Sequence, residues 1–141
     1  LGFKIKLDTN GFQPDVLIHL CRENLLDYVA MDIKAGREHY SAAAGLSDFN
    51  PAPVEKSIHF LLSGAVPYEF RTTAVKELHT EQDFMEIGPW IAGADAYYIQ
   101  NYKTPEDLPR PGLEPFSRDE LLHFAALIAP YVPGVKLRGV D

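Results

Sequence analysis

Apolar and polar positions along this chain follow two periods that take turns. Phe3 to Asp8 alternates with period 2, the signature of a strand with two unlike faces, and Asn10-Gly11 supplies a turn before Pro14, which suits a helix's first turn. Leu17, Leu20 and Cys21 share one face of the helix that follows, and the pattern ends it before Asp27. Asp27 to Lys34 reads as a second strand, rich in apolar residues and in residues of high β-propensity. Another helix is predicted from Pro53, with Val54, Ile58, Leu61 and Leu62 as its stripe and Gly64 as its stop. Tyr68 to Thr73 is the third strand. Thr80 with Asp83 forms a capping box for a helix through Phe84 and Ile87, which Gly88-Pro89 is expected to kink or interrupt. Ala96 to Asn101 is a fourth strand. Ser117 with Glu120 caps a helix through Leu121, Leu122, Ala125 and Ile128 to Pro130, and Val135 to Arg138 closes the series as a short strand. There is no internal repeat or low-complexity tract, so the chain reads as one unit. Regular strand and helix alternation implies parallel strands with right-handed crossovers, hence an α/β sheet or barrel.

The strands have a polar face. Lys4, Lys6 and Asp8 oppose Phe3, Ile5 and Leu7, and Tyr28, Ala30, Asp32 and Lys34 oppose Val29, Met31 and Ile33. Glu69, Arg71 and Thr73 share a face on the third strand, Tyr98, Gln100 and Tyr102 on the fourth, and Lys136 and Arg138 on the last. A parallel sheet covered on both sides would be apolar throughout. The expectation is a barrel-like fold whose apolar face packs under helices while the polar face lines a lumen that opens at the carboxyl ends of the strands. The alternative is a sheet with one solvent-facing side.

Composition narrows the function classes. With 141 residues, 46% hydrophobic and 23% charged, the chain can bury a core. A net charge of −7 argues against nucleic acid or an anionic membrane as partner. No apolar run approaches the roughly 20 residues of a membrane span and the start lacks a signal-peptide pattern, so a soluble, cytoplasmic protein is expected. One cysteine excludes an internal disulfide and any multi-cysteine metal site built by this chain alone.

Several residues can carry chemistry. Asp8-Thr9-Asn10-Gly11 reads either as a plain turn or as a strand-end site for a cation or polar ligand group. Asp32 and Lys34 can form a structural ion pair, a ligand clamp, or the carboxylate and Schiff-base lysine of an aldolase-like lyase. Arg71 can engage a carboxylate or ribose hydroxyls, or neutralise Asp32 or Glu69. His19, His39, His59, His79 and His123 have no histidine partner four residues on and give no metal-ligand motif, and Cys21 on an apolar stripe suits an inert thiol. Between Asn101 and Ser117 lie Pro105, Pro109, Pro111 and Pro115, a loop long enough to serve as a lid or docking surface, or to be a mere excursion.

The order of strand-end motifs is more specific than any one of them. Lys6-Leu7-Asp8-Thr9-Asn10-Gly11, Tyr28-Val29-Ala30-Met31-Asp32-Ile33-Lys34-Ala35, Tyr68-Glu69-Phe70-Arg71-Thr72-Thr73, Tyr97-Tyr98-Ile99-Gln100-Asn101-Tyr102 and Leu137-Arg138-Gly139-Val140-Asp141 together resemble the radical S-adenosylmethionine activases of glycyl-radical enzymes. The wording is closest to the anaerobic ribonucleoside-triphosphate reductase activating proteins, with pyruvate formate-lyase activating enzymes as near relatives. The resemblance implies a partial parallel (β/α) barrel that holds S-adenosylmethionine on a 4Fe-4S cluster, whose electron cleaves the sulfonium to a radical that abstracts hydrogen from a glycine of the partner enzyme. By motif position, it places Asp8 and Thr9 at a cation or carboxylate-side site, Asp32 and Lys34 at the ribose and carboxylate region of S-adenosylmethionine, Arg71 at its ribose or carboxylate, and Lys103 near the adenosyl group.

The chain departs from that family where the cluster is bound. The Cys-x3-Cys-x2-Cys loop and the Gly-Gly-Glu-type segment that follows it are both absent. The expectation is therefore that residues 1–141 are the C-terminal portion of a single partial-barrel domain whose leading βα units lie elsewhere, inactive alone and without a cluster of its own. Such a portion leaves its first strand as an open edge and is expected to self-associate or to rearrange locally.

Overall fold

The structure, a computed structural model, describes residues 2–103 and 113–139. Five parallel strands, β1 (Lys6–Thr9), β2 (Tyr28–Asp32), β3 (Tyr68–Ala74), β4 (Tyr97–Asn101) and β5 (Val135–Arg138), lie side by side in chain order. Every crossover therefore steps in one direction, and right-handed crossovers of that kind put all the helices on one face. This is the winding of a barrel wall; a doubly wound sheet reverses its order at a switch point. The expected α/β partial-barrel class is the one observed.

Helices α1 (Pro14–Arg22) and α3 (Ala52–Leu62) pack together, as do α4 (Glu81–Trp90) and α5 (Arg118–Ile128). Beneath them the apolar strand face is sealed: Val29, Met31, Ile33, Phe70, Tyr97 and Ile99 are fully buried. Phe84 on α4 stacks on Phe124 of α5 with ring centroids 4.3 Å apart, joining that helix pair. Both capping boxes form, with Thr80–Asp83 opening α4 and Ser117–Glu120 opening α5. No helix among the described residues is long and apolar enough to cross a membrane.

Three details differ from the sequence expectation. The first strand begins at Lys6, and Phe3 and Ile5 stand in solvent at 88% and 52% exposure. Alternation marks a face, but β1 pairs only with β2 and nothing described lies over those two side chains. Gly88-Pro89 does not interrupt α4, which runs through Pro89 to Trp90; Pro89 stands one residue from the helix end, so the single ladder bond its missing N–H removes is followed by no further turn, and Gly88 makes room for Tyr131, whose Cδ2 would lie 2.6 Å from any added Cβ. Residues 37–44, which carry little apolar periodicity, form a 3₁₀ turn (Arg37–His39) and a short helix α2 (Tyr40–Ala44) that inserts the fully buried Tyr40 against Phe49, with ring centroids 4.3 Å apart.

Of the proline-rich loop, Pro105, Pro109 and Pro111 lie outside the described residues. Its two ends are clasped by one side chain: the Asn101 amide donates to the Phe116 carbonyl at 2.9 Å and accepts from the Phe116 N–H at 3.0 Å.

The connection after β2 is tied to α4 by Asp83, which is fully buried. Its carboxylate accepts the Gly36 N–H at 3.0 Å and the Thr80 N–H at 2.7 Å, and faces the Nδ1 of His39 at 3.1 Å. The hydrogen bond to Asp83 first, and its charge next, raise the His39 pKa above the ordinary 6.5, while Glu86 and Glu38 add smaller contributions of the same sign. A raised folded-state pKa gives stability that is complete below the unfolded value and lost as pH climbs through the folded one. In urea titrations the wild-type midpoint is expected to fall between about pH 6 and about pH 8, and His39→Gln to flatten that dependence.

Gly11 closes the turn after β1 with φ +75°, and a Cβ there would collide with the buried Met31 methyl. Gly11→Ala is expected to destabilise the chain by about 1 to 3 kcal/mol in denaturant unfolding, from left-handed backbone strain together with overpacking.

Candidate functional site

Parallel register brings the polar strand ends to a common height. Asp32 aligns with Arg71, and Arg71 with Tyr98, while Asp8, Ala30 and Glu69 form the row two residues below. Arg71 donates from Nε to Asp32 Oδ1 at 2.7 Å and reaches Asp8 with Nη1 at 3.5 Å. Lys34 takes the other Asp32 oxygen at 3.2 Å. The result is a chain of alternating charge, Asp8–Arg71–Asp32–Lys34, running across three strands. Burial opposes the Arg71 charge, but Asp32, and then Asp8, outweigh it and hold the guanidinium pKa above its ordinary value. Of the roles open to Arg71, the structure shows neutralisation of Asp32; Glu69 is engaged elsewhere.

Asp32, Lys34 and Arg71, but not Asp8, line a cavity of about 180 Å³ at the carboxyl ends of β2 and β3, completed by Ile33, Thr73, Val75, Leu78 and His79 among others. A larger groove of about 550 Å³ runs between the first turns of α1 and α3, yet its polar wall is an exposed ion pair, Lys56–Asp15 at 2.8 Å. A binding site is marked by convergent polar groups rather than by volume, which favours the smaller, more enclosed cavity.

The remaining motif residues divide. Thr9 Oγ1 accepts the Gly11 N–H at 3.1 Å and Asn10 Oδ1 accepts the Phe12 N–H at 3.0 Å, so both serve the turn, while Asp8 faces Arg71. Lys103 lies two residues beyond β4, exposed, and joins none of the ion pairs among the described residues. Cys21 is half-buried on α1, with its thiol pKa pushed up by burial. Among the described residues no group of three or more His, Cys, Asp or Glu is placed to hold a metal.

A second polar cluster escaped the sequence reading. Glu69, only 3% exposed, accepts Nη1 of Arg138 at 2.8 Å, Nη2 at 3.3 Å and the Tyr28 hydroxyl at 3.0 Å. The Arg138 guanidinium carbon lies over the Tyr98 ring, 3.5 Å from its centroid. Burial first, and Glu69 next, push the Tyr28 hydroxyl up to about 12. The strand faces announced these residues; their pairing depends on a diagonal reach across β4 that no spacing reveals.

No protein-family model matches the chain. It is 28% identical over 151 residues to a Methanocaldococcus jannaschii protein that carries the provisional name of a glycyl-radical enzyme activating enzyme, an alignment covering 99% of this chain and 60% of that one. The chain thus spans about 60% of the length of the curated relative it matches. Its structure superposes on a domain of pyruvate-formate lyase-activating enzyme from Bacteroides vulgatus with a TM-score of 0.75 and 11% identity, over 98% of this chain and 83% of that domain. In sequence the chain is related to a glycyl-radical enzyme activating enzyme, and in fold it is the parallel α/β partial barrel of a pyruvate-formate lyase-activating enzyme domain.

Proposed function

We propose that this chain supplies the S-adenosylmethionine-binding wall of an activase that installs a glycyl radical on a partner enzyme, an anaerobic ribonucleoside-triphosphate reductase. The observation that carries the reading is the convergence of Asp32, Lys34 and Arg71 on one cavity at the strand ends. Within it, residues 1–141 form the C-terminal portion of a single partial-barrel domain, in keeping with the 60% of the relative's length that aligns.

The residues present do not fit an iron-sulfur cluster, since the one cysteine is half-buried on a helix. They do fit S-adenosylmethionine. Lys34 and Arg71 offer donors to its carboxylate, Asp32 offers an acceptor to a ribose hydroxyl, and Arg71 keeps further N–H groups beyond its two ion pairs. A space of about 180 Å³ takes one end of such a molecule rather than the whole. Asp8 and Thr9 would stand at its carboxylate side and Lys103 toward the adenosyl end. Lys34 Nζ faces Asp32 at 3.2 Å with one of the three donors an ammonium carries, an ion pair that leaves two for a ligand carboxylate and supports a clamp over a Schiff-base lyase.

Titration calorimetry of the full chain with S-adenosylmethionine is expected to show binding that Arg71→Ala and Lys34→Ala each weaken by about tenfold or more, the scale of a lost charge-assisted hydrogen bond. A chain that binds no S-adenosylmethionine, or variants that bind as well as wild type, would overturn the reading. Among the described residues the outer edge of β1 pairs with no strand, and with Phe3 and Ile5 exposed beside it this also supports self-association. Light scattering is expected to give a mass that rises with concentration and returns to that of a monomer in Phe3→Ser/Ile5→Lys.

A further inference from the structure

We propose that His79 is a positioning residue that fixes where Lys34 enters the cavity; its consequence for ligand affinity rests on the cavity reading above. Lys34 lies two residues past the end of β2, beyond the last β2–β3 register pair, Asp32 with Arg71, so the sheet ladder does not hold its carbonyl. Side chains take over there. Thr72 Oγ1 donates to the Ile33 carbonyl at 2.6 Å, and Asp83 accepts the Gly36 N–H at 3.0 Å. Between these two anchors, the Lys34 carbonyl is met by His79 Nε2 at 2.7 Å.

Geometry fixes the imidazole in one form. The Val75 N–H can only donate, and it points at Nδ1 at 3.0 Å, so Nδ1 is the bare acceptor. The ring's proton is then on Nε2, where the Lys34 carbonyl accepts it. The Val75 carbonyl, 3.3 Å from Nδ1, is a neighbour and not an acceptor for that atom. The ring is 4% exposed and tilted against Phe84 with centroids 6.2 Å apart, so it has little freedom to turn. His79 thus ties the β3–α4 connection to the backbone of the residue whose amine faces Asp32, and it lines the same cavity. Its role is to hold Lys34 in place; it does not itself pair with charge.

Two near-isosteres separate its two bonds. His79→Gln keeps an N–H near the place of Nε2 and loses the acceptor for Val75, whereas His79→Asn keeps the acceptor and loses the donor to Lys34. Lys34 is read without ligand by limiting acylation of the full chain and peptide mass spectrometry, with Lys76 and Lys136 as internal references. His79→Asn is expected to change the Lys34 rate about fivefold and His79→Gln by less than about twofold, the scale of one net hydrogen bond. S-adenosylmethionine affinity is expected to fall by about fivefold in His79→Asn, to be kept in His79→Gln, and to be insensitive to His79→Asn in a Lys34→Ala background. Equal Lys34 rates in all three proteins, equal losses in both variants, or an effect that persists without Lys34 would each overturn the proposal. If Lys34 reactivity moves as expected while wild type binds no S-adenosylmethionine, the positioning stands and the ligand reading falls. Nitrogen NMR of the wild-type ring is expected to show the proton on Nε2; a proton on Nδ1 overturns the proposal even if a variant fails to fold.

Discussion

The division of one carboxylate between two cations governs the polar face of this sheet. Asp32 gives one oxygen to Arg71 and the other to Lys34, while Arg71 reaches on to Asp8. Asp32 and Arg71 are largely withdrawn from water, which is costly for a charge without a partner, while Lys34 and Asp8 keep more of their hydration. The alternation resolves this by setting two carboxylates against two cations, a locally neutral set within a chain of net charge −7. Neutrality does not make the site inert. A ligand bearing its own carboxylate and hydroxyls can replace one partner of a pair with a partner of the same chemistry, so exchange costs less than burying a new charge would.

A competing carboxylate on the same face is bonded to another cation. Glu69 sits on the same strand face as Arg71, two residues away, yet both of its oxygens go to Arg138, which closes a bidentate pair across β4 with Tyr98 as its platform. Arg138 aligns with Gln100, and Gln100 with Thr73, so the pair runs diagonally and laces β5 to β3 as well. One polar face thereby has two uses: a deep, bidentate lock that holds the sheet, and a shallower chain of single contacts that can exchange.

What the sequence could reveal follows the same physics. Which residues share a strand face was readable from Lys4 to Arg138, because the backbone fixes a period of two whatever the surroundings. Which cation meets which carboxylate was not, since that depends on register between strands far apart in the chain. The exposure of Phe3 and Ile5 is not legible, because alternation reports a face and says nothing of what covers it. The turn around Tyr40 escaped because Ser41, Ala42, Ala43 and Ala44 are too small to mark a period. Thr72, His79 and Asp83 were visible only as a strand residue, an isolated histidine and half of a capping box. Their partners past β2 are the backbone atoms of Ile33, Lys34 and Gly36, and a backbone carbonyl or N–H leaves no trace in a sequence.

The fold itself does not demand the charges. At 11% identity to a domain of the same architecture, pattern and volume hold the barrel wall together, and few particular side chains are required. Replacing a half-buried ion pair with well-packed apolar residues is often neutral or stabilising, so a sheet face could be closed with aliphatic side chains at no cost. Here the face instead keeps Asp8, Asp32, Lys34 and Arg71 at the carboxyl ends of three adjacent strands, where parallel α/β folds bind their ligands. Charges that stability does not require, held in mutual contact and backed by buried side chains fastening the exit of β2, are what the proposed ligand-binding role asks of this face.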